Sequence, residues 1–247
     1  MNFCTASGLS SLGTSLGLSQ TTAYTPYLPL LALSIATKWF HLCQINPHFA
    51  FITSNWFLGV VALLTLIDLI ADLIPGVSTG WHALHTAITP FIGGFVAAAT
   101  TSGDLLPGVS AYSLAVSAHS TPAFVLGTNY AHITLLLTSN TAQAGTISTI
   151  LMFIVGFVLS GLIQLHRTGG RAVANIGHAF TFGLSNVFIS LAEDVVAIVS
   201  IILSFLAPVF MLVVVIIIFL FVLATFRYIL RGLRFLKNRL KGQESAV

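Results

Sequence analysis

Long apolar runs separated by short polar segments dominate the chain. Each clear run is close to the length of about 20 apolar residues that crosses the hydrocarbon core of a bilayer. A further run, over residues 111–138, is apolar but rich in Ser, Thr, Gly and Pro, and it predicts a helix less strongly. The pattern predicts helices that lie in a membrane. The clear runs are Pro26–Cys43, Ile52–Ile74, Trp81–Thr100 and Ile147–His166.

The most apolar run lies near the C-terminus, where no charged residue occurs from Val195 to Phe226. At about 1.5 Å per residue, a single straight helix of that length would extend about 48 Å, beyond the hydrocarbon core of about 30 Å. Pro208 lies within the run, and proline breaks or kinks a helix because it removes a backbone hydrogen bond. We therefore predict two helices that meet near Pro208, Asn186–Leu206 and Val209–Arg231. A single tilted and kinked helix is the alternative.

Composition excludes a water-soluble fold. Only 6% of the residues are charged, 56% are hydrophobic, and the mean hydropathy is +1.00. A soluble domain has about 25% charged residues, because its surface must stay wetted. We predict one all-α domain over residues 1–231, a polytopic transmembrane helical bundle with roughly five to seven membrane-embedded helices. The match of Ser54–Phe57 to Ser185–Phe188 is a faint sign of an internal repeat, which many transporter folds contain.

Basic residues follow the most apolar run directly. Cytoplasmic flanks of transmembrane helices carry an excess of Lys and Arg, so we predict that residues 232–247 form a basic cytoplasmic tail. Recruitment of anionic lipid is the alternative role of this cluster. Low charge and the lack of a basic N-terminal signal region fit a bacterial inner or thylakoid-type membrane. The cluster consists of Arg227, Arg231, Arg234, Lys237, Arg239 and Lys241.

Ionisable residues within or beside the predicted spans come in pairs. Asp68 and Asp72 are four residues apart and project from one face of a helix, whereas Glu193 and Asp194 are adjacent. A charge at a helix centre in lipid costs on the order of 3 kcal/mol and usually faces a protein interior or a cavity. These groups either form a polar centre that handles protons, a cation or a polar solute, or they neutralise each other and stabilise the bundle. Placement near helix ends, where side chains reach water, is a third possibility. The candidate centre comprises Asp68, Asp72, Arg167, Arg171, Asn175, Ser190, Glu193 and Asp194.

The sequence gives little support to cofactor or enzyme chemistry. His82 and His85 share one helix face and are weak candidates for ligands of a haem or chlorophyll, which needs one well-placed imidazole. The sequence has no CxxCH attachment motif, and two cysteines are too few for a metal cluster, so we predict no cofactor and no metal. It also lacks GxSxG, HExxH and Walker motifs, so we predict that it is not an enzyme. Outside the tail the sequence has no basic patch, so we do not expect nucleic acid as a partner.

An ordered set of short motifs extends over most of residues 20–210. Its members are Ala23-Tyr24, Pro29-Leu30-Leu31, Ser54-Asn55-x-Phe57, Asp68-x-x-x-Asp72, Pro75, His85-Thr86, Pro90, Gly93-Gly94, Arg171-x-x-x-Asn175, Leu184-Ser185-Asn186 and Ser190-x-x-Glu193-Asp194. In this set the chain resembles the multi-pass bacterial membrane proteins of the domain of unknown function 4126. The resemblance implies a membrane-embedded helical fold, and no activity, because the family is uncharacterised.

The chain departs from the pattern of that family near the first pair of acids. Asp68 stands where the resemblance implies Glu, and its shorter side chain reaches less far into a shared site. Leu73 and Thr89 stand where the family tends to carry basic residues. With fewer positive partners, Asp68 and Asp72 are less compensated than the corresponding acids of the family.

Two functions from different classes fit these observations. The first is a small transporter or channel-like protein whose acids and arginines line a buried site. The second is a non-catalytic subunit or assembly factor of a larger membrane complex, for example a respiratory or photosynthetic one. The expected partners are the lipid bilayer and either other membrane subunits or further copies of the chain. A cavity that reaches the acids favours transport, whereas ion-paired acids without a cavity favour the structural role.

Overall fold

The computed structural model describes residues 8–43, 45–73, 77–101, 130–177 and 184–244. Every regular element within these ranges is helical, so the predicted all-α fold is confirmed. The apolar run at 111–138, which is rich in Ser, Thr, Gly and Pro, lies mostly outside the described residues. The elements are α1 (Gly8–Thr21), α2 (Tyr27–Lys38), a 3₁₀ helix (Pro47–Thr53), α3 (Asn55–Leu73), α4 (Val77–Thr100), α5 (Tyr130–Gly177), α6 (Leu184–Leu206) and α7 (Pro208–Glu244).

Two helical segments of the described chain are long and apolar enough to cross a membrane. They are Thr146–Gly169 of α5, with a mean hydropathy of 2.3, and Pro208–Arg227 of α7, with a mean hydropathy of 3.3. A third crossing is formed if the 3₁₀ helix and Asn55–Ala71, which meet at 66°, count as one bent span. The outer face of α7 exposes large apolar side chains such as Ile217 and Phe221, which lipid can cover.

Helix α2 is shorter than the sequence predicted. The expected span Pro26–Cys43 is helical only from Tyr27 to Lys38, a length of 12 residues. Beyond Lys38 the chain leaves the helix, and His41 adopts a left-handed backbone conformation with φ of 50°. The Lys38 ammonium donates a hydrogen bond to the Asn55 side chain at the start of α3. Exposed Trp39 and Trp56 lie at this junction, as is typical of aromatic residues at a membrane surface.

Helix α1 contacts α4, α5, α6 and α7 although it is built largely of small and polar residues. Its 14 residues extend about 21 Å, less than the width of the hydrocarbon core. Two of its buried hydroxyl groups bond to backbone carbonyls of neighbouring helices. Thr14 Oγ1 donates to Ser204 O at 3.0 Å, and Ser19 Oγ donates to Gly156 O at 3.1 Å. These bonds connect a polar helix to the apolar helices around it and satisfy the hydroxyl groups of Thr14 and Ser19.

Glycines permit this close packing around α1. A Cβ atom at Gly13 would overlap the backbone carbonyl of Pro208, and one at Gly17 would lie 2.6 Å from Met211 Cγ. The GxxxG spacing of these two glycines therefore places α1 against the junction of α6 and α7. Across the α4–α5 interface, a Cβ at Gly156 would lie 2.7 Å from Gly93 O.

The prediction of two helices around Pro208 is confirmed. Helix α6 ends at Leu206 and α7 begins at Pro208. Ala207 N donates to Leu203 O at 2.8 Å, and Met211 N donates to Ala207 O at 2.9 Å. Proline is favourable at the first position of a helix, because the N–H group that it lacks would have no partner within that helix.

Candidate functional site

A partly buried ion pair joins three helical segments of the bundle. Arg167 Nη2 donates to Glu193 Oε2, and the two side chains are only 10% and 16% exposed. Arg167 Nη1 donates to the carbonyl oxygens of Ala23 and Tyr24, at 2.7 Å each. These carbonyls follow the end of α1, where the last carbonyl groups of a helix lack partners within the helix. One guanidinium group of α5 therefore connects the end of α1 to α6.

Tyr24 packs against the same guanidinium group. The centroid of its ring lies 5.9 Å from Arg167 Cζ, within the range of a cation–π contact. Burial raises the pKa of the Tyr24 phenol above its ordinary value of 10.0, and the positive charge of Arg167 partly opposes that rise. The phenol is therefore neutral at physiological pH, and Glu193 is the acid that pairs with Arg167.

A second polar cluster surrounds Asp68 on α3. Trp81 Nε1 donates to Asp68 Oδ1 at 2.8 Å, and His85 Nε2 lies 3.3 Å from the same oxygen. Trp81 and His85 are four residues apart on α4 and so present their rings from one face of that helix. The ring of Tyr27 on α2 meets His85 edge-on at 5.7 Å. Asp68 thus accepts a hydrogen bond from Trp81 of α4, and the His85 ring of the same helix lies within ion-pair distance of the carboxylate.

A cavity of about 290 Å³ lies between α2, α3 and α6, next to this cluster. Two acidic residues from different helices, Asp68 and Asp194, are part of its wall. Thr65 Oγ1 donates to Val61 O at 2.8 Å, so its hydroxyl hydrogen is used within α3. The remainder of the wall is mostly apolar. The lining residues are Thr25, Leu28, Leu31, Ala62, Thr65, Leu66, Asp68, Leu69, Asp194 and Ile198.

The structure divides the predicted polar centre into two places. Glu193 and Asp194 are adjacent in sequence, but successive residues of a helix point about 100° apart. Glu193 therefore meets Arg167, whereas Asp194 lines the cavity with Asp68. Ser190, one turn earlier on α6, is buried and 7% exposed.

For the other predicted site residues, the structure describes the helix on which each residue lies but not its side chain. Asp72 is on α3, His82 on α4, and Arg171 and Asn175 on α5. Among the described side chains, no group of three or more His, Cys, Asp or Glu residues is arranged to hold a metal ion. The absence of a cofactor stays a prediction, with His82 and His85 as weak candidates for ligands of a haem or chlorophyll.

Two residues near the acids were missed by sequence reasoning. Trp81 begins the apolar run that predicts α4, and its spacing of four residues from His85 indicates that the two rings share a face. Thr25 belongs to none of the sequence motifs. It lies between α1 and α2 and lines the cavity, and its buried Oγ1 has no hydrogen-bond partner among the described residues. No local pattern marks such a residue, because its role depends on which helices surround it.

Apolar helices long enough to cross a bilayer, with ionisable groups buried between them, define a helical membrane protein. The sequence model of the domain of unknown function DUF4126 matches residues 12–141 and 124–227. The chain therefore belongs to this family, as the ordered motifs predicted. No curated protein and no solved structure matches the chain.

Proposed function

We propose that this protein is a small transporter- or channel-like membrane protein that binds its solute in the cavity between Asp68 and Asp194. The observation that carries the proposal is that acidic residues from α3 and α6 line one space of about 290 Å³. At about 30 Å³ per molecule, that space has room for roughly ten waters. Acidic side chains within a membrane protein usually face the protein interior or a cavity and often mark a path for ions or solutes.

The break between α1 and α2 supports a binding role. Transporter sites are commonly formed where helices are interrupted, because non-helical backbone at membrane depth is tolerated only in a protein interior or along a cavity. Here the chain is not helical between Thr21 and Tyr27. Carbonyls in this break accept from Arg167, and Thr25 in the same break lines the cavity. The ion pair holds the break in place, and the cavity lies beside it.

The proposal also includes which helices are embedded in the membrane and on which side of it the C-terminus lies. We infer that α2, α4 and α6 are embedded in the membrane together with the candidate spans of α3, α5 and α7. The basic residues from Arg227 onward then lie on the cytoplasmic side of a bacterial inner or thylakoid-type membrane. Under this proposal the chain performs no covalent chemistry and needs no cofactor.

Flux through proteoliposomes tests the proposal. Purified protein is reconstituted, and proton flux is followed with a pH-sensitive dye inside the vesicles, in parallel with uptake of labelled alkali and organic cations. We expect flux by the native chain and its loss in Asp68→Asn and Asp194→Asn, because each variant removes a carboxylate from the cavity. Gly59→Ala is the matched control, since a Cβ there would meet no described atom within 4 Å outside its own helix. Folded native protein that moves none of these ions would contradict the proposal.

The alternative is a structural subunit of a larger membrane complex. The Arg167–Glu193 pair favours it, because these charges neutralise each other and connect helices rather than face a cavity. Gentle-detergent purification from native membranes, followed by mass spectrometry, separates the two functions. Stoichiometric co-purification with other subunits would support the structural role. A solitary chain or a homo-oligomer would leave transport as the function to test.

A further inference from the structure

We infer that Cys43 and Cys4 are joined by an intramolecular disulfide bond on the extracytoplasmic face of the membrane, where it ties the segment before α1 to the loop after α2. Cys43 lies between α2 and the 3₁₀ helix, is disulfide-bonded, and is only 4% exposed. The sequence contains two cysteines, and the other one, Cys4, lies outside the described residues. The inference uses the topology proposed above but does not depend on transport.

The described contacts place the loop of Cys43 beside α1. Asn46, three residues after Cys43, donates through its backbone N–H to Ala99 O in the last turn of α4 at 3.0 Å. The next residue of α4, Thr100, donates through Oγ1 to Ser15 Oγ of α1 at 2.9 Å. The loop, the end of α4 and the first half of α1 therefore meet in one place.

The chain before α1 is long enough to close the bond. Helix α1 begins at Gly8, which lies about 10 Å from Ser15 along the helix axis. The four residues from Cys4 to Gly8 reach about 13–14 Å when extended. Cys4 can therefore return to the level of Ser15, next to the loop of Cys43, without any unwinding of α1.

The contacts of the two candidate spans assign Cys43 to one side of the membrane. The ring of His166 in the α5 span meets the ring of Phe221 in the α7 span at 5.8 Å, so both spans end on the same side. Near the start of the α5 span, Thr149 Oγ1 accepts a hydrogen bond from Asn46 Nδ2 at 2.8 Å. Asn46, and with it the loop of Cys43, therefore lies on the side where the spans begin.

The basic residues mark the other side. Apart from Lys38, every Lys and Arg of the sequence lies in the last turn of the α5 span or at or beyond the ends of the two spans. An excess of Lys and Arg is typical of cytoplasmic flanks. The loop of Cys43 is then extracytoplasmic, and that side is oxidising in bacteria, whereas cytoplasmic thiols are kept reduced. The charge distribution and the bonded cysteine thus agree on one orientation.

The bond forms by thiol–disulfide exchange with a dithiol oxidoreductase of that compartment. The thiolate of one cysteine attacks the disulfide of the oxidoreductase and displaces one of its two sulfurs as a thiolate. The thiolate of the other cysteine then attacks the mixed disulfide and displaces the second sulfur. The oxidoreductase leaves as a dithiol, which has gained the two electrons and the two thiol protons of the membrane protein.

The bond adds a covalent tie at the start of α1. At the end of this helix, Arg167 Nη1 donates to the carbonyl oxygens of Ala23 and Tyr24. Between these points α1 packs through hydroxyl groups and glycines, such as Gly13 against the backbone of Pro208. A disulfide bond stabilises a fold mainly because it restricts the unfolded chain. The cross-link therefore helps to keep a short polar helix in contact with four others.

Thiol counting tests the bond. Membranes from cells that express the full chain are quenched with acid, denatured in SDS and treated with a polyethylene-glycol maleimide, which shifts the gel band once for each free thiol. We expect no shift without prior reduction and two shifts after it. Cys4→Ser and Cys43→Ser should each show one shift without reduction, because each leaves a cysteine without its partner. On a non-reducing gel the native chain should run as a monomer.

The compartment is tested separately. In cells that lack the extracytoplasmic dithiol oxidoreductase, the native chain should show two shifts without prior reduction. In a Cys4→Ser/Cys43→Ser background, Ser245→Cys places a single thiol in the basic tail. A membrane-impermeant maleimide should label that thiol only after spheroplasts are opened.

Melting temperatures in detergent test the structural role. Cys4→Ala should lower the melting temperature by about 4–16 °C, the range expected for the loss of one disulfide bond in a chain of this size. In a Cys43→Ala background, Cys4→Ala should change nothing further, because the bond is already absent. Strictly additive losses would mean that the two cysteines act independently of each other.

Four outcomes contradict parts of the inference. Two free thiols in native membranes would refute the bond itself, and a dimer that reductant dissolves would assign the bond to two copies of the chain. An unchanged thiol count in cells without the oxidoreductase would refute the route of formation. Labelling of Ser245→Cys in intact spheroplasts would refute the topology and leave the bond. Loss or presence of ion flux alters none of these results, so the proposed transport and the bond fail separately.

Discussion

The Arg167–Glu193 pair offers the most direct test of how the bundle is held together. Glu193→Gln removes the negative charge and keeps an oxygen that can accept a hydrogen bond. Removing one partner of a buried ion pair typically costs about 3–5 kcal/mol, because the other charge is left buried and uncompensated. Here Arg167 keeps two carbonyl acceptors at 2.7 Å, so we expect about 3 kcal/mol, at the lower end of that range.

Arg167→Gln should cost more than Glu193→Gln. It leaves the Glu193 carboxylate buried, and it also removes the donors to the carbonyls of Ala23 and Tyr24. The double variant Arg167→Gln/Glu193→Gln contains no buried charge at this place. Its loss of stability should therefore be smaller than the sum of the two single losses, with a coupling of about 1–3 kcal/mol.

The assay is unfolding by SDS in mixed micelles, followed by tryptophan fluorescence, with melting temperatures as a second measure. A loss of about 3 kcal/mol corresponds to a melting temperature lower by roughly 6–12 °C for a chain of this size. Ile217→Leu is the control, because that side chain is exposed on the outer face of α7. A Glu193→Gln variant as stable as the control, or strictly additive single losses, would show that the pair does not hold α1, α5 and α6 together.

The remaining predictions concern packing and the support of Asp68, and all are measured by the same unfolding assay. Gly13→Ala should destabilise the protein by about 1–3 kcal/mol, because its Cβ would overlap the rigid backbone of Pro208. Gly59→Ala, in an open position of α3, should instead stabilise it by up to about 1 kcal/mol, and a matching loss there would contradict the packing argument. Trp81→Phe keeps an aromatic ring but removes the donor to Asp68, and should cost about 1.5–3 kcal/mol; an unchanged stability would mean that this hydrogen bond is not formed.

The helical class and several local features could be predicted from the sequence. With only 6% charged residues the chain cannot cover itself with a wetted surface, so membrane helices follow from composition. The break before Pro208 follows from the covalent chemistry of proline, and the GxxxG spacing of Gly13 and Gly17 indicates a close helix contact. These features depend on residues near each other in sequence. The end of α2 at Lys38 could not be predicted in this way, because the apolar composition continues past that residue.

The partners of the polar residues were decided by the tertiary structure. The sequence grouped Glu193 with Asp194 and placed both beside Arg167 and Arg171, but it did not say which acid meets which arginine. The rotation of α6 directs Glu193 to Arg167 and Asp194 to the cavity with Asp68. The periodicity of a helix fixes which residues share a face. Only the packing of one helix against its neighbours fixes what that face meets, and so where an ion pair forms and where a cavity remains.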